Sequence, residues 1–176
     1  MENLIQYFEN IPSLHRSIIL VGGITLFWLI EGLVPTRKLA YKKWRHALPN
    51  FFFTATSILV NFFLAFLLLN TADWTQANGF GLLHIFALPL WLYVVLGVLL
   101  LDFIGAYLAH LVEHKIKPLW MVHLVHHSDH HVDTTTANRH HPLESLVRFS
   151  FTLLAVFILG TPIGVVMLYQ SLSVVL

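Results

Sequence analysis

Residues 85–114 read IFALPLWLYVVLGVLLLDFIGAYLAHLVEH. From 85 to 109 this stretch carries one charge, Asp102, and it ends on two histidines, His110 and His114. A hydrocarbon core about 30 Å thick is crossed by roughly 20 helical residues. Lipid offers the backbone no hydrogen-bond partners, so a stretch of this kind is forced to be helical. Three others share its character. Residues 17–36 hold one charge, Glu31, while residues 47–72 and 149–176 hold none. The last contains GTPIG at 160–164, where Pro162 removes a backbone donor. That stretch is either one kinked span or two half-spans folded as a hairpin.

Composition points the same way. The chain has 176 residues, 57% of them hydrophobic and 11% charged, against about 25% charged in an ordinary soluble domain. Mean hydropathy is +0.73. A soluble domain of this size leaves too much surface in water to hide so many apolar side chains. The expected fold is therefore all-α: a multi-pass transmembrane bundle of about four spans, one membrane domain over 1–176. The N-terminus, MENLIQYFENIPSLHRS, has acidic residues where a signal peptide needs a positive region, so it reads as preceding a retained anchor. Cysteine is absent, which excludes disulfides and thiolate metal ligands. No basic stripe interleaved with aromatics marks a nucleic-acid partner.

Orientation follows from lysine and arginine. Arg37, Lys38, Lys42, Lys43 and Arg45 fall in the link 37–46, and Lys115, Lys117, Arg139 and Arg148 follow the third span. Three spans place both groups on one side, so nine of the ten positive charges lie together, with Arg16 apart. The histidine-rich segment 110–144 is expected to be cytoplasmic, with the N-terminus on the opposite side. The uncharged-base link 73–84 falls opposite, and TADWTQANGFG at 71–81 reads as a polar loop.

Nine of the twelve histidines lie between 110 and 141. His110 and His114 are i and i+4, one turn apart on one helical face. His123, His126 and His127 are i, i+3 and i+4, and Pro118 allows a turn between the two groups. Burying so many imidazoles beside lipid is costly unless they are paired. Neutral imidazole binds iron, zinc, copper and nickel. HLVEH matches the inverted zinc-peptidase pattern, with Glu113 as base. Haem held by two histidines is another reading. Each uses few of the nine. A site with more than one metal uses them best, and an all-histidine site suits iron that meets dioxygen. The isolated His15, His46 and His84 read as ordinary polar residues.

The series Asp102, Tyr107, His110, His114, then LWMVHLVHHSD and TTTANRHHPLE, resembles the fatty acid hydroxylase/sterol desaturase superfamily of integral-membrane oxygenases. That resemblance implies a di-iron centre, with zinc possible in a recombinant sample, activating O₂ to hydroxylate or desaturate a lipid. The lipid is of sterol or fatty acyl type. It also implies an external electron donor, cytochrome b5-like or ferredoxin-like. Carried over by position, His110, His114, His123, His126, His127 and His141 are metal ligands. Asp102 and Glu144 are partners that orient imidazoles, and no side chain is a catalytic nucleophile. His130, His131 and His140 match no ligand. The superfamily continues into further histidine boxes where this sequence stops, so the chain is expected to be truncated relative to it, and on one reading inactive.

Glu31 reads as an interfacial carboxylate or as a charged partner inside the bundle. Trp28, Trp44, Trp74, Trp91 and Trp120 lie near span ends, as an aromatic belt does. Trp120 alone is also placed to touch substrate.

Overall fold

The computed structural model describes residues 1–35 and 41–175. Arg37 and Lys38 lie outside the described residues, as does Leu176. No strand occurs among the described residues. Helix α1 (Glu2–Glu9) precedes α2 (Ser13–Leu33) and the long α3 (Lys43–Ala77). Then come α4 (Leu90–Asp102), a π-helical turn (Phe103–Leu108), α5 (Ala109–Lys115), α6 (Lys117–His127), α7 (Pro142–Leu159) and α8 (Ile163–Val175). Short 3₁₀ turns cover Leu82–His84 and Thr134–Asn138. Four helical stretches are long and apolar enough to cross a membrane: Ser13–Leu33, Lys43–His84, Leu90–Lys115 and Pro142–Leu159. The bundle is all-α.

Helix α3 is a correction to the polar loop expected at 71–81, because the helix persists to Ala77. Its polar side chains bond the helix's own carbonyls, Thr71 to Leu67 O at 2.8 Å and Thr75 to Ala72 O at 2.8 Å. The loop begins only at Asn78, and Gly79 supplies the positive φ of 57° that ends the helix.

The chain reverses at Gly160, which closes α7 in the left-handed region at φ 69°. Pro162 then starts a new helix rather than bending the old one. Helix α7 runs antiparallel to α4, with Thr152 against Gly105, and α8 runs back beside α4, with Thr161 and Val165 against Gly97. Val94, Leu101, Val156, Leu159 and Val165 form the centre of the core, with α3 closing it through Leu68 and Ala72. At the turn, Gln76 Nε2, His84 Nε2 and Tyr93 Oη all reach the Gly160 carbonyl oxygen, at 2.7, 3.0 and 2.9 Å. His84 is thus no idle polar residue: it pins this end of the bundle. The histidine-rich segment occupies the other end.

Candidate metal centre

The π-helical turn Phe103–Leu108 packs against α7 and feeds into α5. Wider winding just before His110 resets the direction in which the α5 side chains leave the helix. Helix α5 stops at Ile116, whose extended backbone (φ −101°, ψ 113°) turns the chain, and Pro118 opens α6 in the first turn, where a missing N–H costs nothing. Two histidine faces are thereby folded onto one another.

Four ring nitrogens meet between them. His110 Nε2 lies 2.8 Å from His114 Nε2, which lies 3.1 Å from His127 Nε2, which in turn lies 3.0 Å from His123 Nε2. All four fall within 4.8 Å of one another. A neutral imidazole nitrogen carries either one hydrogen or one lone pair. In a chain of three such contacts, at most two can be hydrogen bonds. Nitrogens bound at roughly 2.0–2.1 Å from one ion are about 2.9 Å apart at right angles and about 3.3 Å apart in a tetrahedron. The observed spacings match that range, so the set fits a metal ion.

Behind the nitrogens sits a buried polar layer. His123 Nδ1–H donates to Glu144 Oε1 at 2.9 Å, which fixes the tautomer that turns the Nε2 lone pair to the centre. Glu144 also accepts from His140 Nδ1 at 2.7 Å and Arg148 Nε at 3.0 Å. Arg148 Nη2 reaches Glu113 Oε2 at 3.1 Å. Glu113, His123 and Glu144 are each at most 1% exposed; Arg148 pairs with both carboxylates, yet neither Glu113 oxygen makes a hydrogen bond among the described residues. Glu113 thus faces Arg148 and not the open side, where a peptidase base would have to meet water. Trp120 lies over the outer edge, its ring 5.0 Å from His114 and 5.3 Å from His127.

Of the residues expected as ligands, His110, His114, His123 and His127 are brought together. His126 stands beside them, stacked on His123 at 5.5 Å and on His140 at 5.2 Å. Its Nδ1 is buried without a hydrogen-bond partner. Burial, and then the neighbouring His140, push its pKa down to about 4, so it is neutral. His141 is not among the four that converge: its Nδ1 accepts from Leu143 N at 3.1 Å and caps α7. The backbone turns outward before Pro142, so His140, which sequence reasoning set aside, meets Glu144 instead. Asp102 also stands apart from the converging imidazoles. It is exposed two turns before His110 and lies against Tyr169, and no hydrogen bond joins it to an imidazole among the described residues. Glu144 does hold an imidazole.

Beyond the centre, Glu31 is a partner inside the bundle. It accepts from Thr134 N at 3.1 Å and Thr134 Oγ1 at 3.0 Å and pairs with Lys43 at 3.5 Å. Asp133 caps the 3₁₀ turn through Thr135 N at 2.8 Å, and its own N–H donates to Thr136 Oγ1 at 3.0 Å. The D-T-T-T spacing at 133–136 carries the capping-box signal of this turn.

Residues 94–176, which include every histidine of the centre, match the family model described as fatty acid hydroxylase. Residues 94–176 are thus similar to fatty acid hydroxylases. Ornithine lipid hydroxylase OlsE of Rhizobium tropici is 31% identical over 77 residues, covering 44% of this chain and 23% of that protein. The match thus spans about a quarter of that relative's length. No solved structure matches the chain. The matched segment takes in the π-helical turn, both histidine faces and the α7–α8 hairpin, so the family match and the candidate metal centre coincide.

Proposed function

We propose that this chain is the membrane-embedded, metal-binding part of an iron-dependent lipid hydroxylase. The observation that carries the reading is the convergence of the His110, His114, His123 and His127 nitrogens at the end of the apolar helices. The ornithine lipid named in the relative makes a polar-headed acyl lipid the first substrate to try. Bound iron would supply dioxygen activation, one oxygen atom entering a C–H bond and the other leaving as water with two electrons and two protons from an external donor. A cytochrome b5-like or ferredoxin-like protein suits that role.

The chain's own residues do the holding. His110, His114, His123 and His127 would bind the ion, and the unpaired Nδ1 of His126 is the donor at hand for a second one, as a di-iron site needs. Glu144 keeps His123 in the binding tautomer. Arg148 pairs with both Glu113 and Glu144, and these two carboxylates with His123 form a second buried set able to take an ion. Trp120 and the apolar helix ends limit water at the outer edge, where an alkyl chain can lie level with the nitrogens. The lysines and arginines flanking the spans favour a cytoplasmic histidine end, within reach of a soluble electron donor.

The test is metal content. Detergent-purified protein loaded anaerobically with Fe(II) should retain iron, and a His114→Ala/His127→Ala double variant should lose it. A helical, monodisperse wild-type protein that holds no iron under reducing, metal-replete conditions overturns the reading. Incubation with lipids and a reductant should then add one oxygen atom to a lipid, read by mass spectrometry.

A further inference from the structure

The segment 128–141 leaves α6 just after His127 and enters α7 just before Glu144. It carries Asp129 and Asp133, and both point at one imidazole from the first turn of α3. His46 Nε2 lies 2.8 Å from Asp129 Oδ1, and His46 Nδ1 lies 3.1 Å from Asp133 Oδ2. The His46 side chain is 10% exposed, and those of Asp129 and Asp133 are 3% and 0%. Other donors fill the remaining carboxylate positions. Asp129 accepts from Thr136 Oγ1 at 2.6 Å and His131 N at 3.0 Å. Asp133 accepts from Thr135 Oγ1 at 2.6 Å and Tyr41 Oη at 3.2 Å.

A neutral imidazole has one N–H and one lone pair. Set between two buried carboxylates, its bare nitrogen would face an oxygen lone pair and leave a negative charge uncompensated. An imidazolium donates to both. The charges then balance, with Asp129 and Asp133 against His46 and Arg139, whose Nη1 is 3.7 Å from Asp129. The ring is further faced by Tyr41 at 4.9 Å and His131 at 6.2 Å. Arg139 carries the restraint onward, since its Nε donates to Val125 O at 3.0 Å and its Nη2 to Ser128 Oγ at 3.2 Å, in and just after the last turn of α6.

We propose that His46 is held as an imidazolium clamp between Asp129 and Asp133, and that this clamp positions the second histidine face. It is a positioning residue, remote from the four nitrogens, and acts through the 128–141 segment and Arg139 on His126 and His127. Its effect on metal rests on the metal-binding reading above. The protonation state and the restraint on the segment do not.

The full chain in detergent, with ¹⁵N-labelled histidine rings, tests it near neutral pH. One ring should show two protonated nitrogens, and that signal should vanish in both His46→Gln and His46→Arg. Amide exchange over 128–141 should quicken in H46Q. Zinc(II), used as the probe, should leave H46Q under chelation about tenfold faster than wild type, the low end for losing an outer partner of a metal ligand. H46R, which keeps the charge and a forked pair of donors, should restore slow release and slow exchange. A His46 ring with one unprotonated nitrogen overturns the proposal, as does H46Q with wild-type exchange and release. If H46Q does not fold, Asp129→Asn carries the same expectation of faster exchange and faster zinc loss, and wild-type rates in D129N overturn the proposal. Wild-type protein that binds neither zinc nor iron sinks the metal reading instead, while ring protonation and amide exchange still decide the clamp.

Discussion

Replacing His141 with alanine should remove the α7 cap, cost about 1 kcal/mol of stability and leave metal content unchanged. Replacing His140 or Glu144, as H140A or E144Q, should weaken metal binding by roughly 10- to 100-fold, because His123 loses its orienting layer, and E144Q should also lower stability because it breaks a buried ion pair. Competition with a chelating dye separates the two cases. The sequence showed two adjacent histidines before Pro142 and, the resemblance pointing to His141 aside, no means of telling which one meets Glu144. The choice is made by the extended backbone at His141 (φ −63°, ψ 143°), which sends neighbouring side chains to opposite sides. Burial and His140 lower the pKa of His126 to about 4, below its unfolded value of about 6.5. The unfolded chain therefore binds the extra proton between those values, and stability falls as pH drops through that window, by at most about 1.4 kcal/mol per pH unit. Thermal melts of the metal-free protein should show that slope with a further share from His123, whose pKa burial also lowers, and His126→Asn should remove only the His126 share.

Elements follow a different logic. Apolar length located the helices well, because the physics of the span is a matter of counting residues against a thickness. Their ends were harder. Thr71 and Thr75 are loop residues by composition, but each satisfies its hydroxyl on the helix it belongs to. The π-helical turn before His110 left no mark in the sequence, since its cause is packing on α7. GTPIG announced a break without saying which way the chain went afterwards. Gly160 decides that with its φ of 69°, and a Cβ there would also collide with the Phe80 carbonyl oxygen. Gly160→Ala should therefore lose at least about 2 kcal/mol, seen as a lower melting temperature in detergent, with the metal centre at the other end still able to load.

For the whole molecule, the two ends are held by different chemistry. One is pinned by neutral donors on the Gly160 carbonyl, the other by ionised side chains around the histidines. Both were half-visible: the histidines by spacing, the charges by their asymmetry. Their partnerships were not, because Glu31, His46 and Asp133 are roughly 15 to 100 residues apart and only folding brings them together. Sidedness can be read directly, since the chain has no cysteine. Single cysteines at His130 and Asn78 should label from opposite faces in sealed vesicles, His130→Cys from the cytoplasmic one. Labelling of both from one side would contradict the arrangement inferred from the lysines and arginines.

The indole of Trp120, within 5.0–5.3 Å of two of the converging imidazoles, has a practical consequence. It makes the centre report on itself. An iron ion held by His114 and His127 would quench that indole by short-range energy and electron transfer, leaving the emission of the four remote tryptophans largely intact. Titration with Fe(II) should dim part of the fluorescence to a plateau, and Trp120→Phe should abolish the dimming while the ion still binds.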